Sequence, residues 1–236
     1  MRMPKLPTLA AFILLAGPGA LAKGIVLDGG PVAINTAQTW CVAPSGALPN
    51  WDAPAHPECQ MAWRVLAEKD GRILYSARYA WPSSMRAKGT LRILSEVLFE
   101  GTKGSRVVHK LYAVQDDEAH VRLAPLRMLT ISGASVIESR VCMTGTEECG
   151  RELAQWSPGR VQAIEDLTVA DIRSKLPKDF DLRMNPELDL ASLAGHGDVW
   201  AKRDRDCCPS GTIEFTLRLE AGELRVEQLK FQRRDG

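Results

Sequence analysis

Apolar residues recur at every second position on both sides of Asp70-Gly71, and no other feature constrains the fold of this chain so strongly. In "ECQMAWRVLAEKDGRILYSARYAW", Trp63, Val65 and Ala67 alternate with Arg64, Leu66 and Glu68. Beyond the Asp-Gly pair, Ile73, Tyr75, Ala77, Tyr79 and Trp81 repeat the two-residue period. Glycine accepts the positive φ of a two-residue turn without a Cβ penalty, so period-two runs flanking Asp-Gly predict a β-hairpin. Over Met61–Lys69 a helical reading is available, but the hairpin uses more of the pattern.

The alternation continues through most of the chain. "TLRILSEVLFE" puts Leu91, Ile93, Val97 and Phe99 on one face, and "GTKGS" turns the chain. "RVVHKLYAV", "HVRLAPLRMLTI" and "ASVIESRVCM" read as further strands, the last two joined at Ser132-Gly133; "ELAQW", "SPGR" and "VQAI" read as a hairpin. Strands this close together favour antiparallel sheets over alternating strand–helix units. The expected class is therefore mainly β, built of antiparallel hairpins or a meander. One short helix is expected near 168–176, where Thr168 and Asp171 have capping-box spacing and Pro177 follows. The segment "PKDFDLRMNPELDLASLAGHGD" is rich in turn formers, with at most a helical turn near Ala191–Leu193. A C-terminal hairpin closes the chain, with Ile213, Phe215, Leu217 and Leu219 alternating before Ala221-Gly222. After that turn Leu224 and Val226 are one residue out of phase with Leu229 and Phe231, which predicts a bulge near Glu227-Gln228. The expected organisation is a leader at 1–22, a β-rich domain at 23–165 and a smaller helix-plus-hairpin unit at 166–236. One core continuous over 23–236 is the alternative.

The N-terminus "MRMPKLPTLAAFILLAGPGALAKG" has Arg2 and Lys5 ahead of an unbroken apolar run from Leu9 to Ala16. Pro18 and its flanking glycines follow, and then the small residues Ala20 and Ala22. This is the order of a secretory signal peptide, with cleavage expected after Ala22. Eight apolar residues cannot cross a bilayer, which takes about 20. The expected location is periplasmic or secreted, with no transmembrane segment after cleavage. Removing residues 1–22 leaves 28 basic residues against 29 acidic ones, scattered and intermixed. Nucleic acid needs a basic face to neutralise its phosphates, and no such face is legible; nor is there a basic patch for an anionic membrane.

Six cysteines, Cys41, Cys59, Cys142, Cys149, Cys207 and Cys208, all follow the cleavage site. An even count in an oxidising compartment predicts up to three disulfides. Cys41 and Cys59 bracket a proline-dense loop, and Cys142 and Cys149 bracket "MTGTEE" between two strands. Cys207 and Cys208 are then each other's remaining partner, at a turn set by Pro209 and Gly211. Rearranged pairing with Cys142 or Cys149, and a pair of free or redox-active thiols, are the alternatives.

Catalytic signals are absent in the forms that chemistry prescribes. Neither Gly-x-Ser-x-Gly nor Ser-x-x-Lys occurs, and "SSMRAKGT" has its lysine one residue too far to return to Ser84 on the next helical turn. Cys-x-x-Cys and His-Glu-x-x-His are missing, the four histidines are far apart, and soft copper ligation through Cys142, Met143 and Cys149 competes with a plain disulfide. No metal and no cofactor is expected. Asp116-Asp117-Glu118 reads as a solvated turn, and Asp204 and Asp206 in "RDRD" as surface partners of Arg203 and Arg205. Two binding candidates remain: a surface of Trp40, Trp51 and His56 in the Cys41–Cys59 loop, and pocket residues His196 and Asp198.

The combination "RVCMTGTEECGRELAQW" followed by "CCPSGTIEFTLRLEAGELRV" resembles a group of uncharacterised bacterial exported proteins. These have a signal peptide, a β-rich body and a C-terminal Cys-Cys-Pro-Ser segment entering a hairpin. The likeness spans Val141 to Val226 and implies export and a β-rich ending, without an activity. The functional expectation is a non-enzymatic binding or envelope-associated module. Its partner is an unidentified envelope or secreted protein or a small ligand. One alternative is an envelope enzyme, hydrolytic or acting on disulfides, that uses His196, Asp198 and the Cys207/Cys208 pair. A periplasmic metal-binding protein is the other.

Overall fold

A computed structural model of the chain describes residues 25–27, 30–39, 60–82, 92–116, 121–143 and 149–234. The leader and the Cys41–Cys59 loop with Trp40, Trp51 and His56 lie outside the described residues.

The described residues form two sheets that are antiparallel almost throughout. The first is built from β1 (Ile25–Val26), β2 (Pro31–Ala33), β3 (Gln60–Lys69), β4 (Arg72–Pro82), β5 (Arg92–Thr102) and β6 (Val107–Asp116), with α1 (Ile34–Thr39) following β2. Its order is β1-β6-β5-β4-β3, and β2 also pairs with β6. The β3–β4 hairpin turns at Asp70-Gly71, where both residues have positive φ, as the sequence predicts. Trp63 stacks near Tyr75 and Phe99, with Val65 exposed two residues along the same face, and a bulge at Leu66 then breaks the predicted alternation. Leu66 and Ala67 turn instead toward the core between the sheets. A one-residue insertion inverts every side chain beyond it.

The second sheet contains β7 (Val121–Leu123), β8 (Arg127–Ile131), β9 (Ala134–Met143), β10 (Cys149–Ser157) and β11 (Arg160–Asp166). After α2 (Thr168–Lys175) come β12 (Phe180–Asp181), β13 (Glu187–Asp189), β14 (Ala194–Ala201), β15 (Gly211–Glu220) and β16 (Glu223–Arg233). The order is β12-β14-β15-β16-β11-β10-β9-β7, with β13 added to β14 and β8 to β9. A short parallel pairing of β11 with β16 joins the strands before α2 to those after it. The predicted strand over 120–131 is split at Ala124–Leu126. The predicted bulge in the last hairpin occurs as expected: Thr216 pairs with Gln228 and Leu217 with Val226, so Glu227 is the extra residue. That keeps Leu224, Val226, Leu229 and Phe231 on the buried side of β16.

Three apolar clusters form among the described residues. Ala37 of α1 covers one face of the first sheet at Ala77, Val97 and Phe99, fixed by Tyr79, whose buried hydroxyl donates to the Ala37 carbonyl at 2.8 Å. Burial pushes the Tyr79 pKa far up, so this donor keeps its proton. Between the sheets lie Leu74, Leu98, Tyr112, Ile137, Val141 and Trp156. The third cluster joins Val136, Leu153 and Ile164 to Ile172, Leu182, Phe215 and Leu224, drawing on strands both before and after α2.

Two buried glutamates cross the interface between the sheets. Glu96 on β5 accepts from Ser76 Oγ, from Arg64 and from the Leu126 amide at 3.1 Å, with Arg78 beside it. The same two arginines also donate to the carbonyls of Leu126 and Leu123. Glu100, four residues on, accepts from Trp156 Nε1 and the Gly159 amide, each at 2.9 Å. One carboxylate thus pins the β7–β8 corner and the other pins the β10–β11 turn.

Candidate functional site

The period of two puts Arg127 and Leu129 of β8, Glu138 and Arg140 of β9, Cys149 and Arg151 of β10 and Asp166 of β11 on one face of the second sheet. Register aligns them: Arg127 lies opposite Glu138, and Arg140 opposite Arg151. At one end of this face Val136, Leu153 and Ile164 are sealed into the core. At the other, α2 and the segment 184–191 stand off the sheet and leave a cleft of about 810 Å³ with an arginine-rich floor. Leu129, Val169, Met184 and Leu188 give it an apolar wall.

The polar groups in this cleft are incompletely satisfied. Glu138 is 6% exposed, and its Oε2 is paired with the Arg127 guanidinium at 3.4 Å. Arg151 reaches Asp166 at 3.1 Å through its terminal nitrogen, while its buried Nε donates to nothing. Thr168 is 1% exposed and its Oγ1 has no partner. The guanidinium of Arg140 is exposed and pairs with no described carboxylate, although Arg151 faces it across the ladder. Buried polar atoms are normally satisfied because desolvation without a bond costs about 1–3 kcal/mol each.

The start of α2 differs from the sequence expectation. Thr168 does not cap the helix; Leu167 occupies the N-cap with no side-chain bond, and Thr168 is the first helical residue. Asp171 does not reach back as in a capping box. Its carboxylate accepts the Val226 amide at 3.0 Å and pairs with Arg225, tying α2 to β16. Asp166 accepts the Thr168 amide in the cap's place.

The pocket residues predicted from sequence do not converge. His196 lines a shallower hollow of about 710 Å³ on β13–β16, in a cross-strand row of Glu187, His196, Glu214 and Lys230. Its Nε2 lies 3.3 Å from Glu187. Asp198 is bonded to Arg234 at 2.8 Å, and neither it nor Cys207 or Cys208 lines this hollow. The sequence reading missed Glu138, Arg140, Arg151 and Thr168. Their one signal was charged residues in the apolar phase of β9 and β10, two residues from Val136 and Leu153.

Cys142 is bonded to Cys149, directly opposite it across β9 and β10. Closing so short a loop removes unfolded-chain entropy worth about 2.5 kcal/mol. Cys207 is bonded to Cys208, and both are exposed in the β14–β15 connection. Among the described residues no cysteine is free, and no three His, Cys, Asp or Glu side chains group to hold a metal. The vicinal turn is held by Asp204, which accepts from Ser210 Oγ at 2.7 Å and from the amides of Ala201 and Ser210. Arg183, from outside the loop, pairs with Asp206, where the sequence suggested Arg203 or Arg205. The Ser210 hydroxyl, then those amides and the Arg183 charge, hold the Asp204 carboxyl below its usual pKa. A depressed pKa contributes stability above the unfolded value of about 4 and loses it as pH falls through the folded one. Amide exchange at Ser210, corrected for its intrinsic rate, is expected to accelerate between pH 6 and pH 3, and Asp204→Asn to abolish that difference. A pH-independent Ser210 amide in the unaltered protein would contradict this.

No protein-family model, no curated protein and no solved structure matches this chain. The resemblance drawn over Val141–Val226 rests on those residues themselves.

Proposed function

We propose that this protein is an exported, disulfide-stabilised β-rich binding module that holds a small ligand in the cleft beside α2 and acts on it without covalent chemistry. The observation that carries the reading is the cleft of about 810 Å³ itself, with Arg127, Arg140 and Arg151 on its floor and Leu129, Val169, Met184 and Leu188 on its wall. Export is supported by the charged, apolar and small-residue order of 1–22, and by disulfides of the kind that persist in oxidising compartments. Among the described residues no helix is long and apolar enough to cross a membrane.

Native mass spectrometry of protein recovered from the periplasm or medium tests both parts. The expected result is a chain beginning at Lys23 that carries a small molecule, released on mild unfolding and absent from Arg140→Gln. Full-length chain in the cytosol contradicts export. An unliganded mature chain, together with no stabilisation by any member of a broad metabolite library, contradicts the binding reading.

A further inference from the structure

We infer that the Cys207–Cys208 disulfide is a thiol–disulfide exchange site: a dithiol reductant opens it, and opening it loosens the wall of the cleft beside α2. The exchange site stands apart from the reading of the cleft as a ligand site; only its consequence for ligand binding rests on that reading.

The bond is placed to react rather than to staple. Both cysteines are exposed in the β14–β15 connection, whereas Cys142 and Cys149 are half-buried and tie two paired strands. A disulfide stabilises according to the length of chain it closes off, and between adjacent residues it closes off none. The turn does not depend on it either. Asp204 closes the connection, accepting from Ser210 Oγ and from the amides of Ala201 and Ser210. The turn therefore survives the opening of the bond, and an attacking thiolate reaches the sulfurs without unfolding the protein.

What the bond does fix is the backbone beside it, because it ties two side chains across a single peptide. Directly before it, the Asp206 carbonyl accepts from Nε1 of the buried Trp200 at 3.1 Å, and the Asp206 carboxylate pairs with Arg183. The Cys208 amide donates to the Arg205 carbonyl at 3.1 Å. Two further bonds hold Arg183 to the same connection: it donates to the carbonyls of Ala201 at 3.4 Å and Asp204 at 3.0 Å. Met184, Asn185 and Pro186 follow Arg183 directly and line the cleft, and β13 begins at Glu187. Arg183 thus links the vicinal pair to the cleft wall.

A thiolate of the reductant attacks one sulfur; the Cys207–Cys208 bond breaks as a mixed disulfide forms, and the other cysteine leaves as a thiolate that takes a proton. The second thiol of the reductant then displaces the remaining cysteine. Two electrons and two protons have passed to the pair, and the reductant is left as a disulfide. A dithiol of the Cys-x-x-Cys kind is the fitting partner. The freed peptide shifts Asp206, Arg183 loses its carboxylate, and the wall from Met184 to Asp189 loosens.

Two measurements test this on the folded mature protein. With limiting dithiothreitol, iodoacetamide trapping and mass mapping, Cys207 and Cys208 are expected to be trapped about tenfold faster than Cys142 and Cys149. Deuterium exchange over Glu187–Asp189 is expected to run about fivefold faster in Cys207→Ser/Cys208→Ser, and in Arg183→Gln with the disulfide intact, as one surface ion pair is lost. The double variant opens this bond alone, so reduction elsewhere does not enter. Trapping of both cysteine pairs at one rate overturns the exchange site, and unchanged exchange at β13 in the double variant overturns its link to the cleft. Neither measurement uses a ligand, so a failed ligand screen contradicts the cleft reading and leaves these two results standing.

Discussion

Glu96→Ala is expected to lower the unfolding free energy by about 3 kcal/mol, a large share of the about 5–15 kcal/mol that holds a domain folded. Glu96 is 1% exposed and is the common acceptor of Ser76, Arg64 and the Leu126 amide. Removing it strands a buried hydroxyl and an amide and takes the counter-charge from two arginines. Breaking a buried ion pair from one side costs about 3–5 kcal/mol. Arg64 is nearly half exposed and Arg78 about a quarter, so both regain water, which puts the expectation at the lower end. Glu96→Gln keeps the shape and one acceptor, and should fall between alanine and the unaltered protein. Urea unfolding measures both. A shift under about 0.5 kcal/mol for the alanine variant would mean that the β7–β8 corner does not depend on this carboxylate.

Gly195→Ala is expected to cost about as much by a different route. A Cβ on Gly195 would sit 2.4 and 2.6 Å from ring atoms of Phe215 and 2.7 Å from the Glu187 carbonyl oxygen. Phe215 is fixed in the core, and the Glu187 carbonyl belongs to β13, whose Leu188 pairs with Gly195. Neither can retreat without opening the β13–β14 ladder. Overpacking of this kind costs about 1–3 kcal/mol, and the two-sided clash puts this site at the top of that range. Gly197→Ala is the internal control, because its nearest contact is a Pro186 carbon at 3.3 Å, and it should cost under about 1 kcal/mol. Since β13 lines both hollows, Gly195→Ala should also weaken ligand binding in the cleft. Equal stability of the two alanine variants would contradict the clash.

The strands that were legible in the sequence are those with a clean two-residue period between glycine turns. Asp70-Gly71, Ser132-Gly133 and Ala221-Gly222 each turn with positive φ at both residues. The Glu227 bulge was legible too, because an apolar face that changes phase demands one extra residue. β14 was not: "AGHGDVWA" carries two glycines that lower strand propensity, and Gly195 is needed where Phe215 approaches the backbone. α1 was hidden because six residues are too few for a helical period. Glu96 and Glu100 alternate with Val97 and Phe99 and so read as a solvent face, yet both faces of β5 are covered. A period reports which residues share a face, not whether that face meets water. The same limit concealed the cleft, whose residues come from β8, β9, β10, β11 and α2 and meet only through register. His196 and Asp198 drew attention as isolated residue types, and their neighbours in space were invisible.

The account's central claim is that the cleft beside α2 holds a ligand, and a thermal-unfolding screen of the unaltered protein and Arg140→Gln against a metabolite library tests it most directly. Arg140 is exposed and lines the cleft floor. The account predicts a library member that raises the unfolding temperature of the unaltered protein and leaves that of Arg140→Gln unchanged, because only a ligand bound to the folded state shifts it. A library in which no member stabilises the unaltered protein, or one whose members stabilise both proteins equally, would contradict the claim.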